Sequence, residues 1–141
     1  MHLKYRPTLL ASIAHFALFI CVFILFFARK YESLRFQAIS DYFPDFHLHI
    51  SNFAIAYLLI SGIGFLWLMV GVRFWKVLLL GIAVVLFNYL YEYFLPWLNT
   101  RDALDAHYGF WGSLLAIVEM FLISRYGLRE NKHESKKPLH S

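Results

Sequence analysis

"NTRDALDAHYGFWGSLLAIVEMF", residues 99–121, decides how this chain is read. It opens on Arg101, Asp102 and Asp105 and runs directly into an apolar segment that still carries Glu119. Projected as a helix, Asp102, Asp105, Gly109, Gly112, Ala116 and Glu119 share one arc about 100° wide, and Phe110, Trp111, Leu114, Leu115, Ile117, Val118 and Phe121 fill the rest. One face is small and acidic; the remainder is bulky and apolar. Small residues let a neighbouring backbone come close and leave the bulky face for lipid, so the acids belong to the protein interior.

Working outward, three more runs approach or exceed the about 20 apolar residues that span a bilayer. The expected helices cover about 8–28, 50–72, 74–95 and 103–124. Hydrophobic residues make up 60% of the 141 and aromatics 20%, well above the roughly 45–50% apolar content of an ordinary soluble domain. The expected fold is all-α: one four-helix transmembrane domain over 1–126, followed by a basic tail over 127–141 that reads as solvated and disordered. The first run ends in "FFARK" without a small-residue cleavage site, so it reads as a retained helix and not a signal peptide. Of the thirteen Lys and Arg residues, nine fall on the side of the amino terminus and four (Arg29, Lys30, Arg35 and Arg101) on the other. The positive-inside rule then puts both termini in the cytoplasm, and the connections around His49 and Arg101 outside. The long first connection contains "YESLRFQAISDYF", which suits either a short surface helix or an irregular loop with aromatics at headgroup depth. The lone Cys21 rules out a disulfide framework. No repeat or phosphate loop occurs, and neither a cofactor nor a nucleic-acid partner is expected.

The third helix repeats the acidic-face pattern, with Gly81, Val85, Asn88 and Glu92 on one narrow face. The second offers Asp45, His49, Asn52 and Ala56 in the same way if it begins early enough. Ionised groups in hydrocarbon cost about 2.5–3.5 kcal/mol even on lenient insertion scales, so these stripes should converge. The expected result is an outward-facing polar pocket with Glu92, Arg101, Asp102 and Asp105 as charged members and Asp45, His49 and Asn88 beside them. Packing positions are Gly81, Gly109, Gly112 and Ala116. A plainer account of Asp102 and Asp105 is compensation of the helix dipole behind an Asn99 or Thr100 cap. His47 and His49 alternate across a helix, so no metal site is expected there. No Ser or Cys has a His and an acid at motif spacing, which leaves nucleophilic catalysis unsupported. His15 and Glu119 lie at similar depth from the termini-bearing side, about 10 Å in, and are expected to pair, either as a structural hydrogen bond or as part of a proton relay.

Three segments, "DFHLHISNFAIAYLL", "NYLYEYFLP" and "RDALDAHYGFWG", resemble the VanZ-like family of small bacterial membrane proteins. The resemblance spans Asp45 to Gly112. It implies that the family's polar-motif positions fall at Asp45, His49, Glu92, Arg101, Asp105, Gly109 and Gly112. Departures include Phe46 where the family carries Lys. A related group of membrane proteins without assigned activity resembles the chain almost as closely. The resemblance implies a helical protein of the bacterial cytoplasmic (inner) membrane, with some relatives linked to glycopeptide-antibiotic resistance, and brings no reaction with it.

Three readings follow. The first is a VanZ-like multipass protein whose outer pocket engages an envelope amphiphile, either a lipid-linked precursor or a glycopeptide antibiotic. The second is a membrane enzyme of lipid headgroups, with Asp102 or Asp105 as base or metal ligand. The third is an accessory subunit whose polar stripes satisfy one another. The first is preferred, and with it a binding protein over an enzyme.

Overall fold

The computed structural model describes residues 3–35, 37–43, 45–94 and 103–131. Four long helices dominate: α1 (Leu9–Ala28), α3 (Phe46–Met69), α4 (Phe74–Phe94) and α5 (Ala103–Leu122). A short α2 (Gln37–Tyr42) lies within the first long connection. All four long helices have the length and apolarity to cross a membrane. Their lipid-compatible faces are evident from exposed Leu10, Phe16, Leu86, Phe87, Trp111 and Phe121. Such a surface is untenable in water and ordinary in a bilayer.

Burial separates the helices into two classes. Within the most apolar window of each, 44% of α3 and 39% of α5 is buried, against 11% for both α1 and α4. The α3–α5 pair is therefore the spine, with α1 packed on α3 and α4 packed on both. The seam is closed by small residues. A Cβ at Gly112 would collide with the backbone carbonyl of Phe53, and one at Gly109 would collide with the Asn88 amide. One at Gly81 would stand 2.6 Å from Ile117 Cδ1, and Ala116 is fully buried. Tyr57, Ile60, Val77, Ala116 and Met120 fill the centre.

Helix ends follow local chemistry. Thr8 caps α1, its Oγ1 accepting from the Ala11 amide at 3.2 Å. At the other end of α1, Arg35 donates to the carbonyls of Ala28 and Arg29 at 3.1 and 3.0 Å, holding orphan acceptors of the last turn. Helix α3 stops at Gly71, whose φ of +90° permits a tight reversal. There the Val72 amide donates to Trp67 O and the Gly71 amide to Leu68 O, the two bonds of a Schellman ending.

The structure corrects three expectations. Helix α3 begins at Phe46, four residues earlier than the hydropathy suggests, because His47 and His49 are buried as helical residues and not left in a loop. The fold is not purely helical, since β1 (Tyr5–Pro7) pairs antiparallel with β2 (Leu128–Glu130), Arg6 opposite Arg129. The boundary of the tail moves accordingly: α5 widens into a π-helical turn over Ile123–Gly127, and the ladder continues to Asn131, whose amide donates to Lys4 O at 3.0 Å. These three-residue strands pair across more than a hundred positions, so no local alternation announces them.

Candidate functional site

Two polar groups interrupt the apolar core, one toward each end of the α3–α5 spine. The first lies at the end bearing the connection from α1, here the loop end. There His49 Nδ1 stands 2.8 Å from Asp105 Oδ1, joining the first turns of α3 and α5. The Tyr108 ring lies 5.6 Å from the His49 ring and 6.0 Å from Phe46, covering the pair. On the α1 side Arg29 Nη1 donates to Ser51 Oγ at 2.7 Å, so a guanidinium is folded back onto α3. On the α4 side the Asn88 amide lies against Gly109. Glu92, one turn beyond Asn88 on an antiparallel helix, comes to the level of Asp105 one turn before Gly109, and is only 4% exposed.

Of the residues expected to form the pocket, the structure thus gathers His49, Asn88, Glu92 and Asp105. It does not gather Asp45, which is exposed at the residue before α3 and makes no side-chain capping bond. Its place at the exposed end of α3 is the reason: Asp45 stands one turn before His49 on the same side of the helix, but in solvent. Arg101 and Asp102 lie outside the described residues. His107 is exposed, with Nδ1 3.4 Å from Tyr89 Oη, away from the cluster. Among the described residues no three His, Cys, Asp or Glu side chains are grouped to hold a metal ion.

The second group sits deep in the other half. His15 Nδ1 lies 2.8 Å from Glu119 Oε1, and Tyr57 Oη donates to Glu119 Oε2 at 2.6 Å. With Glu119 as the carboxylate, its oxygens only accept, so His15 donates through Nδ1 and each Glu119 oxygen holds one donor. The imidazole is stacked on Phe65, with centroids 4.0 Å apart and planes 13° from parallel. Three helices meet at this carboxylate. Tyr57 was not foreseen as the third member; a phenol in the middle of a membrane helix that must place its hydroxyl was the available signal. Arg29 and Ser51 were missed as well, the arginine because it reads as an ordinary flanking charge.

Asp105 and Glu119 are fourteen residues apart on α5, about 21 Å along its axis, and both engage the Nδ1 of a histidine from another helix. Such an arrangement orients the ring and sets its tautomer, the role a carboxylate plays beside a histidine general base. No protein family, curated relative or solved structure matches the chain.

Proposed function

We propose that this is a multipass protein of the bacterial cytoplasmic membrane, with both termini in the cytoplasm, whose loop-end cluster engages the headgroup of an envelope amphiphile such as a lipid-linked precursor or an antibiotic. The observation that carries this reading is the His49–Asp105 pair, held at 2.8 Å at the ends of the two most buried helices beside buried Glu92 and the Arg29–Ser51 bond. Polar groups at the end of an apolar bundle are costly to place and are commonly retained for a ligand. Carboxylates at this end of the bundle suit a headgroup amine. The orientation rests on the distribution of basic residues. Purified protein in lipid nanodiscs should bind a lipid-linked envelope precursor, and Asp105→Asn and Glu92→Gln, verified as folded, should weaken binding at least about tenfold, the scale of one lost charge-assisted contact. Equal binding by wild type and both variants would remove the proposal.

A second reading draws on the same pair. An aspartate-oriented histidine is a general-base arrangement, which favours an enzyme of lipid headgroups. Headgroup release from labelled lipid that stops in His49→Gln would select it over binding alone.

A further inference from the structure

Helices α1 and α5 do not pack along their lengths at the end bearing β1 and β2. Between them lies a cavity of about 380 Å³, within the size range of small-molecule sites. Its walls are aliphatic, formed by Leu10, Ala14, Leu18, Leu115, Val118 and Leu122. The Thr8 amide donates to Gly127 O at 2.7 Å and closes the strand end, where Gly127 approaches Ala11 so tightly that a Cβ would lie 2.8 Å from the alanine methyl. Leu10, Val118, Leu122 and Tyr126 are exposed at the rim, so the mouth opens sideways, toward the acyl chains of a surrounding bilayer.

The floor is polar. His15 and Glu119 both line the cavity, and His15 is 97% withdrawn from solvent, being 3% exposed. Both Glu119 oxygens are engaged, by His15 Nδ1 and Tyr57 Oη, whereas the hydrogen bond of His15 among the described residues is made through Nδ1, leaving Nε2. A histidine donating through Nδ1 presents Nε2 as an acceptor. No lysine or arginine lines the cavity. An anionic head would meet the Glu119 carboxylate with no lysine or arginine beside it, and an ammonium head would exchange its hydration shell for walls that are aliphatic apart from this floor. A neutral O–H donor fits.

We infer that this α1–α5 cavity is a lipid-binding site, separate from the loop-end cluster, that takes a single aliphatic chain ending in a hydroxyl, the hydroxyl donating to His15 Nε2.

The test uses full-length protein in nanodiscs and a diazirine-bearing hexadecanol as photoprobe. Crosslinks should map to the α1 and α5 segments lining the cavity. Unlabelled hexadecanol should compete; hexadecyl methyl ether, which cannot donate, should compete about two- to tenfold less well, the value of one neutral hydrogen bond; palmitate should compete least. His15→Phe retains an aromatic ring for the Phe65 stack and should erase the difference between alcohol and ether. Ala14→Trp, at an exposed wall position, should abolish crosslinking by filling the cavity. Equal competition by alcohol and ether in the wild type overturns the inference, and so does crosslinking that survives Ala14→Trp. The comparison of competitors needs no variant, so a folding defect in His15→Phe, revealed by its melting curve, leaves the decision intact.

Discussion

Gly112→Ala and Gly62→Ala each add one methyl to a spine helix, and the geometry gives the two changes opposite signs. Either substitution removes a glycine from a helix interior, which favours the folded helix by about 0.5–1 kcal/mol. At Gly62 the new Cβ would lie 3.6 Å from Phe19 Cε2, an ordinary contact, so the variant should gain that amount. At Gly112 the Cβ would be driven into the Phe53 carbonyl group, whose Cα is itself 2.9 Å away. A side chain could rotate aside; a helical carbonyl cannot. Helices α3 and α5 would have to part along the seam that buries Ala54, Tyr57 and Ala116, an overpacking cost of about 1–3 kcal/mol. The gain in helix propensity is common to both, so the two variants should differ by about 1–3 kcal/mol, with Gly112→Ala the weaker. Reversible unfolding by sodium dodecyl sulfate in mixed micelles, followed by tryptophan fluorescence, resolves such a gap. Equal midpoints, or a more stable Gly112→Ala, would refute the assignment of this glycine to a backbone contact.

Tyr57→Phe should cost about 0.6–1.7 kcal/mol in the same assay, the range for hydrogen bonds between membrane helices. Paired with Glu119→Gln, the loss should be smaller than the sum of the singles, and strict additivity would show that the phenol and carboxylate are not coupled. Gly71→Ala places a side chain at φ +90° and should destabilise by about 1–2 kcal/mol; an unchanged midpoint would mean the α3–α4 reversal adapts freely. Removing residues 128–141 deletes β2, and amide exchange at Ala11 and Ser12 in the first turn of α1 should accelerate; unaltered protection would leave the ladder without a role there. For orientation, single cysteines at Ser33 and Thr100 in a Cys21→Ala background should react with an impermeant reagent in intact cells while one at Ser135 does not; the reverse pattern removes the outward-facing headgroup site.

The four spans and the small-residue face of α5 were legible because both are repeating local signals: an apolar run of bilayer length, and glycines and alanine recurring on one side. The 2.8 Å His15–Glu119 contact was legible as matched depth on antiparallel helices, since two buried ionisable groups at one level have few other partners. What escaped was set by tertiary context. The polar run Asp45–His49 looks like a loop until Asp105 stands opposite to accept from His49, and the split it produces, with Asp45 exposed and His49 buried, depends on where the helix starts. Arg35 reads as a topology signal, and its work at the α1 carbonyls appears only once the chain has turned back on itself. Which helices form the spine also had no local signature, because α1 is the most apolar of the four and yet among the least buried.

The ladder between residues 5–7 and 128–130 has a bearing on how the molecule is made. Chains are threaded into membranes from the amino end, so α1 reaches the bilayer before the segment that fastens its base has been synthesised. Until Leu128–Glu130 emerge, α1 is held by its packing on α3 and has no clasp at Thr8. Of these four helices, the earliest to be made is therefore the last to be secured. The same strands lead directly into Thr8 and Gly127, which close one end of the α1–α5 cavity, so birth order and the sealing of that end are tied to one short pair of strands.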